Sequence, residues 1–210
     1  MAEATSDAAV ATCFTGWLNV AVPQNGATIR RHLLNHVPSD RFLAATYLPS
    51  DCPPSQPPGS CLLERVAALQ PFTGFELKPM LSNSQLRRMV RTAPHFERVR
   101  RAYRRTNRAD LSIWNPVLGS PNISCLREVN DYHRVLELVA RHEYSRGGKR
   151  YRRVIFTRLE YEWLGPHPPV ELMDEAFVWL PYNTGRGLYD RHAVLNRSAA
   201  DVYLGRCASS

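Results

Sequence analysis

The order of elements over the first fifty residues constrains this chain most. Residues 12–22 (TCFTGWLNVAV) are apolar and β-prone and predict a first strand, with Gly16 marking a bend or a close backbone approach. Pro23-Gln24-Asn25-Gly26 reads as a turn. In residues 27–37 the apolar positions Ile29, Leu33, Leu34 and Val37 recur at helical spacing with basic residues between them. Pro38-Ser39-Asp40 closes that helix, and Arg41–Tyr47 (RFLAATY) predicts a second strand. Strand, helix, strand, with a helix long enough to cross over, implies parallel pairing. The expected class is therefore α/β: a single-domain, mostly parallel sheet flanked by helices. A length of 210 residues and 44% apolar content suit one domain with one core. Residues 1–11 are expected to be a flexible tail and residues 12–210 the domain.

The remaining elements follow from spacing and punctuation. Residues 48–60 hold five prolines and predict a loop, followed by a short helix over 61–69 and a strand from Phe72 to Leu77. Ser82 or Asn83 can cap a helix marked by Leu86, Met89 and Val90. Residues 122–145 make the strongest helix, with Ile123, Leu126, Val129, Tyr132 or His133, Leu136, Val139 and Ala140 on one stripe, and Gly147-Gly148 stop it. Val154–Thr157 predicts a buried strand, His167-Pro168-Pro169 a rigid turn, Phe177–Leu180 another strand, Asn183–Gly187 a polar loop and Arg197–Leu204 a helix.

The net charge is +8, and every basic residue except Lys78 and Lys149 is arginine, which grips phosphate or carboxylate with a planar fork. Arg87, Arg88, Arg91, Arg98, Arg100, Arg101, Arg104, Arg105 and Arg108 form the densest run. It suits a nucleic-acid groove, a wall that neutralises a pyrophosphate, or a wet helix surface. The five cysteines (Cys13, Cys52, Cys61, Cys125 and Cys207) contain no CxxC pair, which argues against a zinc ribbon or a disulfide framework. Cys52 and Cys61 flank the proline loop and can pair locally; with an acidic N-terminus that does not resemble a signal peptide, they are taken as free thiols. Asn122-Ile-Ser and Asn196-Arg-Ser have glycosylation spacing. No stretch reaches the roughly 20 apolar residues of a membrane helix, so no transmembrane segment and a cytoplasmic location are expected.

Two clusters carry candidate chemistry. Arg158, Glu160 and Glu162 follow the strand at 154–157, and alternation along a strand would put all three on one face. Arg158 would grip an anion and the carboxylates a hard divalent cation, or the set is a salt-bridged strand end. Ligands of open α/β sheets bind beyond the carboxyl ends of strands, which is where this cluster falls. Asp190, Arg191 and His192 lie beside the glycine loop. Asp190 suits a general base and His192 a phosphate donor or proton shuttle, or else they are a cap and a structural histidine. Trp17, Trp114, Trp163 and Trp179 can stack on a base or a sugar ring, Trp163 foremost because it adjoins the charged cluster. HExxH, GxSxG and GxxxxGK[ST] spacings are all missing, so none of the reactions they mark is indicated.

The runs RVIFTRLEYEWLGPHPPVELMD and GLYDRHAVLNRSAADVYLGR resemble a set of glycosyltransferase-like proteins of algae, plants and large viruses, related to the GT-A nucleotide-sugar transferases. The opening TCFTGWLNVAV and the helix containing CLREVNDYHRVLELVARHE are similar too, so the resemblance covers about Thr12 to Arg206 and is faint over 48–120. It implies a GT-A-like fold and transfer of a sugar from a nucleotide-sugar donor to a glycan, protein or small-molecule acceptor. In that superfamily an Asp-x-Asp at a strand end holds Mn²⁺ or Mg²⁺ against the donor diphosphate. Here the place reads Arg158-Leu159-Glu160, so the resemblance implies a metal role for Glu160, with Glu162 beside it, and Arg158 as substitute charge. Asp190 is implied on the acceptor side, and Trp17, Trp163 and Arg158 on the nucleotide-sugar side. The alternatives are a degenerate sugar-nucleotide or glycan binder and a basic nucleic-acid-binding module.

Overall fold

The structure, a computed structural model, describes residues 9–19, 21–92, 101, 124–183 and 187–205. The strands are β1 (Val10–Trp17), β2 (Asp40–Tyr47), β3 (Gly74–Pro79), β4 (Arg153–Arg158), β5 (Tyr182–Asn183), β6 (Gly187–Leu188) and β7 (His192–Asn196). The α-helices are α1 (Val22–Ile29), α2 (Pro58–Arg65), α3 (Asn83–Thr92), α4 (Ser124–Ser145) and α5 (Arg197–Gly205). Five strands form one sheet in the order β3-β2-β1-β4-β7. The first four are parallel and β7 runs antiparallel to β4. The chain thus steps outward from β1 through β2 to β3, then returns to the other side of β1, so the strand order switches between β1 and β4. The α/β class with helices flanking a mostly parallel sheet is as the sequence indicates.

Strand alternation divides the core. Phe14, Leu43 and Ile155 face the layer built from α1 and α2, where Val22, Ile29, Leu33 and Leu62 pack. Cys13, Phe42, Val154 and Phe156 face α4 and α5, against Tyr132, Val135, Val139 and Leu204. Each fully buried side chain of this size contributes about 1.5–3 kcal/mol. Val129, Tyr132 and Val139 of the expected α4 stripe are buried, joined by Val135 and Leu138, while Ala140 is exposed. The polar edge of α4 carries Glu128, Asp131 and Arg134 towards the carboxyl ends of the strands.

Four local expectations change. The strand expected over residues 12–22 ends at Trp17, and Pro23–Gly26, expected as a turn between elements, lies inside the opening of α1. Proline is tolerated there because a first-turn N–H has no helical partner to lose. Gly26 sits where α1 approaches Ala68, leaving 3.4 Å for a side-chain carbon. Phe177–Leu180 is not a strand; Trp179 alone bridges to Val194 beside β7. Cys52 and Cys61, expected as free thiols, form a disulfide. Asn196 is committed as the cap of α5: Ala199 N–H donates to its Oδ1 at 2.7 Å and its Nδ2 donates to the Glu175 carbonyl at 2.7 Å. No helix among the described residues is long and apolar enough to cross a membrane.

Candidate functional site

The carboxyl ends of β1 and β4 meet at the switch in strand order, where open α/β sheets bind their ligands. Gly16 has φ of +134°, a conformation that L side chains rarely adopt. The space that a Cβ would take is filled by the Glu160 carboxylate, whose Oε2 would lie 2.8 Å away. Trp17 N–H points at the same carboxylate, 3.4 Å from Oε1. Arg158 holds Glu160 with two parallel bonds, Nε to Oε2 at 3.0 Å and Nη2 to Oε1 at 2.9 Å. Its Nη1 pairs with Glu128 of α4 at 2.6 Å. Burial acts to lower the Arg158 guanidinium, but the hydrogen bonds and charge of Glu160, then the charge of Glu128, outweigh it and raise it. Arg158 is therefore a permanently charged brace between two acids, with its side chain 12% exposed, rather than an open anion fork.

The expected common face for Arg158, Glu160 and Glu162 breaks because β4 stops at Arg158. Leu159 turns into the core, Glu160 returns to Gly16, and Glu162 lines a separate cleft. This donor set does not fit a divalent cation: one carboxylate is bonded twice by a guanidinium and the other points elsewhere. Behind this brace lies a second network that the sequence did not reveal. Arg134 bonds Asp131 at 2.8 Å and Glu76 of β3 at 2.6 Å, and Lys78 bonds Glu76 at 2.8 Å. Burial pushes the Asp131 carboxyl up to about 7 against the opposing charge and hydrogen bond of Arg134, and Glu160 adds to the rise.

Asp190 and Arg191 form the turn that enters β7. Arg158 N–H donates to the Arg191 carbonyl at 3.1 Å, which joins this turn to the end of β4. Tyr203 of α5 donates its hydroxyl to the Asp190 carbonyl at 2.7 Å, and the Asp190 side chain is exposed. The Arg191 guanidinium carbon lies 5.3 Å from the Tyr161 ring centre and 5.4 Å from that of Tyr189, and it donates to the Tyr161 hydroxyl. No carboxylate pairs with Arg191 among the described residues. The accessible guanidinium at this edge is thus Arg191, whereas the sequence drew attention to Arg158.

The chain matches no protein-family model. No curated protein matches it either.

A cleft of about 510 Å³ opens beside this edge, on the α1 side of the sheet. That volume is within the ordinary range for small-molecule sites. Its walls include Tyr161, Trp163, Trp179 and Tyr189, and its floor Thr157, His167, His192 and Val194. Thr157 and His192 are register partners across β4 and β7. The His192 ring meets Trp163 edge-on at 5.0 Å and His167 at 5.3 Å. Burial, then the neighbouring His167, lower His192 to about 3, with a backbone hydrogen bond at Phe156 opposing. His192 is therefore neutral at physiological pH, so it brings one N–H and no positive charge to a partner. Burial also lowers His167, against its hydrogen bond to the Pro168 carbonyl. His167, read from sequence as part of a rigid turn, is instead pinned inward: its N–H donates to the His32 carbonyl at 2.6 Å.

Trp17 stands at the mouth of the edge, its indole N–H donating to Asp51 at 2.9 Å and the residue 37% exposed. Trp114 lies outside the described residues. Of the arginine run, Arg87, Arg88 and Arg91 lie on α3 and Arg101 is exposed, while Arg98, Arg100, Arg104, Arg105 and Arg108 lie outside the described residues.

Proposed function

We propose that this chain is a glycosyltransferase of GT-A type that seats a nucleotide-sugar donor at the carboxyl edge of its sheet. The observation that carries the reading is the meeting of three elements at the switch point: the Gly16 end of β1, the Glu160 turn after β4, and the Asp190–Arg191 turn before β7. Trp17 offers a flat surface to the base. Arg191, held between two tyrosine rings, takes the diphosphate by charge-assisted hydrogen bonds. Asp190 faces solvent and accepts the proton of the acceptor hydroxyl. In the transfer the acceptor oxygen bonds to the anomeric carbon, the bond from that carbon to the phosphate oxygen breaks, and the nucleoside diphosphate leaves with the electron pair. Negative charge grows on the leaving group, so Arg191 stabilises the transition state more than the ground state. Arg158 and Glu160 are positioning residues that fix the edge.

The test is release of free nucleoside diphosphate from a panel of nucleotide sugars. Arg191→Ala should lower kcat/KM by about 10²–10³-fold, as loss of one preorganised donor does elsewhere. Asp190→Asn should lower kcat by about 10²–10⁴-fold with KM for the donor little changed. A second reading, binding without turnover, is favoured by one observation: both oxygens of Glu160 are bonded to Arg158. Saturable donor binding with no nucleotide release would select it.

A further inference from the structure

Three polar atoms of the cleft have no hydrogen-bond partner within the protein: Thr157 Oγ1, His167 Nε2 and His192 Nδ1. Thr157 is only 1% exposed and His167 only 4%. Buried polar atoms are normally paired, and these three belong to residues that line one cleft, so a ligand that reaches them from the cleft is the economical reading. The chemistry of that ligand is narrow. His167 Nδ1 lies 2.5 Å from the Pro168 carbonyl, which can only accept. The proton therefore sits on Nδ1, and in the neutral ring Nε2 is a bare acceptor. Whatever reaches it must donate. A carboxylate, or a phosphate in its dianionic form, offers only lone pairs to the lone pair of Nε2. A hydroxyl donates to Nε2 and still exchanges a bond with the Thr157 hydroxyl. The indoles of Trp163 and Trp179 line the same cleft, and aromatic rings suit the C–H face of a saturated ring.

We infer that this cleft binds an uncharged, hydroxyl-bearing ring, a neutral sugar; on the transferase reading, on which this last step rests, that sugar is the acceptor. The donor's charged diphosphate then stays outside at Arg191, and the neutral partner enters beside it.

The full chain is titrated with methyl β-glucoside, methyl β-galactoside and methyl α-mannoside, and in parallel with glucuronate, glucose 6-phosphate and indole. Binding is followed by the histidine side-chain resonances and by tryptophan fluorescence. At least one neutral glycoside should bind saturably and move the His167 and His192 signals. Thr157→Val should weaken it about three- to tenfold, the range for one lost uncharged hydrogen bond. His167→Phe, which keeps a ring in place and removes Nε2, should do the same and serves if the first variant does not fold. The inference is overturned if no neutral glycoside moves those signals, or if a charged sugar binds as tightly. It is also overturned if both variants bind the glycoside as the parent does. Glycoside binding without consumption of any nucleotide sugar keeps the cleft assignment and removes the acceptor role. Nucleotide-sugar turnover with no glycoside in the cleft does the reverse.

Discussion

At the scale of single residues, Gly16 and His192 carry the most testable physics. Adding a methyl group at Gly16 would force a side chain into φ of +134° and push its carbon to 2.8 Å from Glu160. Gly16→Ala should cost about 1–3 kcal/mol in urea denaturation, and an unchanged midpoint would contradict the close approach. For His192 the sign is fixed by its neutral burial. Between the ordinary 6.5 and the folded value of about 3 the unfolded chain binds a proton that the folded chain refuses. Stability contributed by this site is full above about pH 6.5 and falls as pH drops through that window. The slope is up to about 1.4 kcal/mol per pH unit, and His167 acts in the same sense. His192→Phe should flatten the acid limb of a stability–pH curve; an unaltered limb would mean His192 is not held neutral. The Arg158–Glu160 pairing was legible in the sequence because the two lie close along the chain. The choice of Arg191 as the accessible guanidinium was not, since it depends on Tyr161 and on the acids that claim Arg158. His167 was hidden for the same reason: its inward position hangs on a backbone bond to His32, far away in sequence.

At the scale of elements, α4 joins the two ends of the sheet. Its first half carries Glu128, Asp131 and Arg134 to the carboxyl edge, and its last turns carry Glu143 to the amino edge. There Glu143 accepts two bonds from Arg197 of α5 at 2.8 Å and one from Tyr151 N–H at 2.9 Å. Both Glu143 and Arg197 are buried. Glu143→Ala leaves the buried guanidinium with only the half-exposed Asp201 carboxylate and should cost about 3 kcal/mol. Thermal denaturation reads this directly, and a loss under about 1 kcal/mol, the level of an exposed pair, would contradict the role. The helix itself was plain from its apolar spacing. Its charged partners were not, because periodicity identifies the face turned to the core and says nothing of which strand end meets the polar edge. Of the two caps the sequence offered for α3, Ser82 is the one used: Gln85 N–H donates to Ser82 Oγ at 3.2 Å and Ser82 N–H to Gln85 Oε1 at 2.8 Å, a reciprocal pair. The start of α1 misled because proline and glycine in succession normally mark turns, and here tertiary packing against Ala68 and Leu69 overrides that habit.

At the scale of the whole molecule, the parallel pairing of β1 and β2 follows from the strand–helix–strand rhythm of the first fifty residues, and the places of β3 and β4 on either side of them come only with the structure. The antiparallel β7 was not legible, since the described residues between β4 and β7 hold no α-helix to cross over and only the two-residue strands β5 and β6. That irregular segment is where the cleft forms, so the part of the sequence poorest in periodic signal contributes most to the site. The Cys52–Cys61 bridge closes a short loop against the α1 layer. Its reduction should lower stability by about 2–3 kcal/mol on the loop-entropy account. The central claim concerns the shared edge, and one measurement bears on it most directly. The purified chain is incubated with nucleotide sugars and neutral glycosides, and free nucleoside diphosphate is followed over time in the parent and in Arg191→Ala. Glycoside-stimulated release that falls about 10²-fold or more in the variant is the predicted result. Release equal in both proteins, or none in the parent with any donor, contradicts the account.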